Sequence, residues 1–231
     1  MLLADVDKYA SEKIVAAQQS IVDLASQHVK GGDVVLIYEG SSDLITRILV
    51  AAKEAKPHSK FSVVVIDSRP YHESTKALRQ LLRNGISCTY APFHAVERIC
   101  RSRSVTKAFI GAAGVASNGY VLSRIGTASI CMLASSYSIP VVICCESCKF
   151  TERVLLDSTT MNELRDPNDL LNMSLPGTES EASAAATSTL PGSKANLRHL
   201  NPQYDVCPMN FVAMVISDVG AIHPTSVPLF L

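Results

Sequence analysis

Residues 33–67 read DVVLIYEGSSDLITRILVAAKEAKPHSKFSVVVID. Asp33–Tyr38 and Phe61–Asp67 are short runs rich in Val and Ile, apolar at successive positions and so on both faces of an extended chain. Strands buried in a parallel sheet read this way. Between them, Ser42–Ala55 carries its apolar residues at helical spacing. Strand, helix and strand in this order are the repeating unit of an α/β fold.

The same rhythm extends outward. ISCTY (86–90), KAFIG (107–111), PVVICC (140–145) and YDVCP (204–208) predict further strands. Residues 74–84 and 95–102 show helical periods, and Gly85 after Asn84 is placed to end the first of them. The expectation is a Rossmann-like α/β architecture, a mostly parallel sheet layered between helices. Met209–Asp218 predicts a helix, and SVPLFL (226–231) a last extended piece. Upstream, Ala10, Ile14, Ala17, Ile21, Leu24 and His28 draw one stripe along a helix that ends at Gly31-Gly32. That stripe either packs on the same chain's core or begins a helical domain that lies outside these residues. Residues 174–196, SLPGTESEASAAATSTLPGSKAN, hold little to bury and predict a flexible loop.

Composition narrows the function. The 231 residues are 47% hydrophobic and 18% charged, enough apolar content for a packed core and too much for a disordered tail. Lys+Arg 21 balances Asp+Glu 21, so no net positive field draws in nucleic acid. No run reaches the ~20 apolar residues of a membrane span, and Asp5 and Asp7 interrupt any leader. Seven cysteines, an odd number in a chain of this size, fit reduced thiols in a cytosolic protein.

Ligands of open α/β sheets bind beyond the carboxyl ends of the strands. The segments to inspect are therefore 39–42, 67–70, 114–127 and 146–149. The longest, GVASNGYVLSRIGT (114–127), reads as a loop that turns at Gly119 and meets a helix start at Gly126-Thr127, with Arg124 adding a charge suited to phosphate. Neither a Walker nor a GxGxxG pattern occurs. Cys144, Cys145 and Cys148 form a CCxxC cluster, but no second ligand pair stands at zinc-finger spacing, so buried thiols are expected. The six histidines are scattered. Glu39 and Asp67 at neighbouring strand ends would suit proton transfer, although Asp67-Ser68-Arg69-Pro70 reads better as a turn or a structural ion pair.

The stretches VVVIDSRP (63–70), NGYVLSRIGT (118–127), IPVVICCESCKFTERV (139–154), NELRDPNDL (162–170) and YDVCP (204–208), in this order, resemble the family of initiation factor 2B regulatory subunits, its delta-type branch above all. The wider family includes methylthioribose-1-phosphate and ribose-1,5-bisphosphate isomerases, which use a cysteine and an aspartate. The resemblance puts that cysteine where this chain has Tyr38-Glu39-Gly40 and that aspartate where it has Tyr120, so isomerase activity is not expected. A remnant of a phosphate pocket is implied at Asn118, Gly119, Ser123, Arg124, Gly126 and Thr127, with Tyr120 bulky enough to fill it. The residues leave two functions open. The first is a non-catalytic regulatory subunit of the guanine-nucleotide exchange factor for initiation factor 2. Its implied partners are the alpha, beta, gamma and epsilon subunits and initiation factor 2 itself, with no cofactor, metal, membrane or direct nucleic-acid contact. The second is a binding protein or isomerase for a small phosphorylated ligand. Residues 1–30 are then the linking helix at the end of a helical N-terminal domain, and 31–231 the Rossmann-like domain. Assembly surfaces are sought among Phe211, Val212, Val215, Val219, Ile222, Val227, Leu229 and Phe230, and the isolated chain could pair with a second copy.

Overall fold

A computed structural model describes residues 14–38, 42–160, 162–170 and 199–231. Its elements are helix α1 (Ala17–Ser26), strand β1 (Val34–Ile37), α2 (Leu44–Ala55), β2 (Ser62–Asp67), α3 (Ser74–Arg83), β3 (Ser87–Pro92), α4 (Val96–Arg101), β4 (Lys107–Gly111), β5 (Gly114–Ala116), β6 (Val121–Arg124), α5 (Thr127–Ser136), β7 (Val141–Cys144), β8 (Phe150–Thr151), β9 (Tyr204–Cys207), β10 (Met214–Ser217) and β11 (Gly220–Ile222). A seven-stranded sheet runs in the order β11-β10-β7-β4-β1-β2-β3 and is parallel except at β11.

Alternation along each strand sorts the core into two layers. Val35, Ile37, Val63, Val65 and Phe109 meet Ile21, Ile45, Ile48, Leu49 and Leu81 of α1–α3 on one face. Leu36, Val64, Ile66, Ala108 and Ile110 meet Val96, Cys100, Ile130 and Ala134 of α4 and α5 on the other. Burial on both sides is why these strands read as unbroken apolar runs. Helix α3 closes at Gly85, where φ is +69° and the amides of Gly85 and Ile86 donate to Leu82 and Leu81. In α1, Ala17, Ile21, Val22 and Ala25 are buried and Leu24 packs against them, so this part of the leading stripe packs on this chain's own core, while Ile14 is exposed and Ala10 lies outside the described residues.

Four readings of the sequence change. Residues 114–127 are not a loop: β5 and β6 form an antiparallel hairpin in a second, four-stranded sheet, β8-β5-β6-β9. YDVCP forms β9 of that small sheet, antiparallel to β6, rather than a strand of the large one. Met209–Asp218 is not a helix but a short 3-10 turn, Met209–Phe211, followed by β10. Its β-branched Val215 and Ile216 lie beside Ile143 and Cys144 of β7 and are fully buried, which an extended chain accommodates well. The terminal SVPLFL is likewise not extended, because Pro224–Phe230 winds as 3-10 turns opened by His223, whose side chain accepts from the Thr225 amide. The loop predicted at 174–196 lies outside the described residues.

Candidate functional site

Chain order reverses between β1 and β4, since β2 and β3 lie to one side of β1 while β4, β7 and β10 lie to the other. Such a switch point opens a crevice at the carboxyl ends of the strands. A cavity of about 340 Å³ sits there, walled by Tyr38 after β1, Gly111–Ala113 after β4, Ser123 and Arg124 of β6, Lys149, and Glu73 and Arg165.

Arg124 projects from β6 into a cage of acceptors. Its Nη2 donates to Ser68 Oγ at 3.0 Å and stands 3.7 Å from Asp67 Oδ1. Its Nε is 3.2 Å from Glu73 Oε2. The guanidinium lies 4.5 Å above the Tyr38 ring. Arg165 grips the other oxygen of Glu73 at 2.8 Å and stacks at 4.3 Å on Tyr71. Asp67 is buried and also accepts from the Ser68 amide and the Tyr90 hydroxyl at 2.8 and 2.9 Å. The structural ion pair expected at Asp67 is therefore present, and the Arg124 charge is balanced within the chain. Burial raises the Tyr38 phenol above its ordinary value against the opposing pull of Arg124, and its hydroxyl donates to the Ile125 carbonyl at 2.7 Å.

The start of α5 is where an anion was expected, and a carboxylate of this chain occupies it. Asp205 Oδ2 on β9 accepts from the Gly126 and Ala128 amides at 3.2 and 3.1 Å, while Oδ1 accepts from Ser158 Oγ at 3.1 Å. Gly126 has φ +95°, and a Cβ there would stand 2.8 Å from the Phe93 ring. Thr127 is fully buried, with no hydrogen-bond partner for its Oγ1 among the described residues. Ser123 Oγ donates to the Gly111 carbonyl at 2.8 Å. Asn118 and Gly119 build the β5–β6 turn: Asn118 Nδ2 donates to the Leu155 carbonyl at 2.6 Å, and Gly119, at φ +76°, would drive a Cβ to 2.9 Å from the Pro224 carbonyl oxygen. Tyr120 does not fill the crevice, because the hairpin turns it onto Ala116, Leu155 and Val206 beneath the small sheet. Ser123 and Arg124 thus face the cavity, whereas Asn118 and Gly119 hold the hairpin. Glu39 lies outside the described residues.

Lys149 is a third cation on the cavity wall, after Arg124 and Arg165. Its Nζ is 2.6 Å from Glu146 Oε2, and Gln18 of α1 donates to Glu146 Oε1 at 2.7 Å while accepting from Arg47 of α2. Burial works to raise the Glu146 carboxyl, but the Lys149 and Gln18 hydrogen bonds outweigh it and hold the group below its ordinary value. A lowered carboxylate contributes stability above its unfolded pKa that is lost as pH falls through the folded one. Glu146→Gln is accordingly expected to cost about 1–2 kcal/mol at neutral pH and to flatten the acid limb of stability, measured by urea unfolding from neutral to acid pH.

Cys144 and Cys145 are both buried, but adjacent strand residues face opposite sides of the sheet, and the two thiols belong to different core layers. Burial pushes the Cys145 thiol up to about 12. Cys148, expected buried, is exposed. Among the described residues no group of three or more His, Cys, Asp or Glu gathers as a metal site, and no helix is long and apolar enough to cross a membrane. Of the C-terminal apolar residues, Val212, Val215 and Val227 are core, Phe211 and Ile222 pack half-buried against it, and Val219, Leu229 and Phe230 are exposed.

Comparison with known proteins agrees with this geometry. The chain is 38% identical over 231 residues to the translation initiation factor eIF2B subunit delta of Schizosaccharomyces pombe, covering 100% of this chain and 48% of that one. It is 38% identical over 221 residues to the Dictyostelium discoideum subunit delta, covering 95% and 34%. It thus spans about half or less of the length of these relatives. A ribose 1,5-bisphosphate isomerase of Pyrococcus furiosus is 27% identical over 216 residues, covering 94% and 60%. The crystal structure of the translation initiation factor eIF-2B, subunit delta, from A. fulgidus shares the fold, with TM-score 0.78 and 21% identity, over 99% of this chain and 65% of that one. The model of the initiation factor 2 subunit family matches residues 1–224, and the chain belongs to that family.

Proposed function

We propose that this chain is the Rossmann-like part of a non-catalytic, delta-type regulatory subunit of the guanine-nucleotide exchange factor for initiation factor 2, working in the cytosol through assembly surfaces. The observation that carries this reading is the 38% identity to a delta subunit along all 231 residues. Residues 1–30 would serve as the linking helix from a helical N-terminal domain, seated on the sheet domain by the buried stripe of α1. The partners are the beta subunit and, through the assembled core, the alpha, gamma and epsilon subunits and initiation factor 2. The crevice agrees with a regulatory role: Arg124 is neutralised by Asp67 and Glu73, and Asp205 occupies the α5 amides. Co-expression with a beta-type subunit, followed by native mass spectrometry, is expected to give a stoichiometric heterodimer or a larger even assembly. A lone monomer or homodimer would overturn the reading.

The second reading rests on the cavity itself, about 340 Å³ with Lys149 and Arg165 on its wall, and on the isomerase relative. It assigns the crevice to a small phosphate ester. Calorimetry with sugar phosphates and nucleoside monophosphates tests it, and an absence of heat at millimolar ligand removes it.

A further inference from the structure

Helix α3 carries a run of cations that no salt bridge among the described residues answers. Lys76, Arg79 and Arg83 are exposed and follow one another at i, i+3 and i+7, so they share one face. They line a hollow of about 420 Å³ on the outside of the helix, beside Gln80 and Thr75. Among the described residues none of the three has a salt-bridge partner. The one carboxylate on the rim, Glu73, is held by Arg124 and Arg165. Like charges three and four residues apart on a helix repel and weaken it, and an anion lying across them relieves that repulsion. In a chain whose net charge is zero, this is a local concentration of positive charge.

We propose that this face of α3 docks a short acidic segment of a partner protein. The length of the stripe selects that occupant. From Lys76 to Arg83 a helix rises about 10 Å, which about three residues of extended peptide span. Glu73 precedes the stripe, and the adjoining hollow, which shares Gln80, is lined by Asp43 and Glu54 together with Arg47. Helix α3 holds no cation beyond these three, so a nucleic-acid backbone continuing past three phosphates gains nothing further from it, whereas a peptide with two to four acidic side chains matches the stripe in length. Arg79 and Arg83 offer forked donors that match a carboxylate, and Lys76 adds a point charge.

The test is fluorescence anisotropy of a labelled hexaglutamate peptide titrated with the 231-residue chain at low ionic strength. Binding is expected, and reversal of the three cations (Lys76→Glu, Arg79→Glu, Arg83→Glu) is expected to weaken it about tenfold or more. The single substitution Arg79→Ala should weaken it less. The same reversal at exposed Lys30, Lys60 and Arg98 should leave it unchanged. No binding by the unaltered chain, equal weakening by the control reversal, or tighter binding of a single-stranded RNA oligonucleotide through the same three residues would each overturn the proposal.

Discussion

Arg124→Ala is expected to lower the stability of this chain by about 3 kcal/mol, with or without any ligand present. The guanidinium stands between two carboxylates, Asp67 and Glu73, and its side chain is 9% exposed against 1% for Asp67. Removing one partner of a buried pair costs about 3–5 kcal/mol, because the remaining charge stays desolvated. The lower end applies here. Asp67 keeps the Ser68 amide and the Tyr90 hydroxyl, and Glu73 keeps Arg165. Arg124→Lys retains the charge but loses the forked geometry and the stacking on Tyr38, so it should fall between Ala and the unaltered chain. Urea unfolding measures all three. In the Ala variant the midpoint should drop with an unchanged slope, corresponding to a melting temperature lower by about 6–12 °C. A change below about 1 kcal/mol would mean that the Arg124 pairs contribute little to the fold, and would shift weight to the second reading of the crevice.

How far the sequence reveals this fold depends on whether partners are near or far along the chain. The strands around β1 are legible because burial on both faces leaves an unbroken apolar run, as in Val34–Ile37 and Val63–Ile66. β10 is not, because Val212, Val215, Ile216 and Val219 satisfy helical spacing as well as they satisfy a strand. What decides there is the vacant edge of β7, which no local pattern announces. The β5–β6 hairpin hides for a different reason. Its strands are three and four residues long, too short for a period, and its glycines look like those of a loop. At the site, the sequence picks out Arg124 and Asp67 but not their relation, since Arg124 meets Glu73 and Asp67 only when β6 folds over the end of β2. Lys149 stands out for its place after β7, yet its tie to α1 through Glu146 and Gln18 spans more than a hundred residues.

Asp205 is the residue that the sequence leaves most concealed, and its replacement is the second large effect expected. Within YDVCP it reads as a strand residue, and the helix it caps begins 78 positions earlier, at Thr127. The carboxylate accepts from two amides at the positive end of α5 and from Ser158, so it fastens β9, α5 and the segment after β8 at one point. Loss of a capping acceptor costs about 0.5–2 kcal/mol, and the Ser158 bond adds about 1 kcal/mol. Asp205→Ala should therefore cost about 2–3 kcal/mol. Asp205→Asn keeps an uncharged acceptor and should cost about half as much. The bare amides left in the Ala variant form an anion site of the kind that phosphate and sulfate occupy at helix starts. Sulfate should accordingly raise the melting temperature of Asp205→Ala by more than it raises that of the unaltered chain, whose cradle is already filled. Equal shifts would place the sulfate elsewhere and would remove the α5 amides as an anion cradle that Asp205 fills. A larger shift in the variant would instead show that, in the unaltered chain, Asp205 fills the anion cradle at the start of α5 with a side chain of its own.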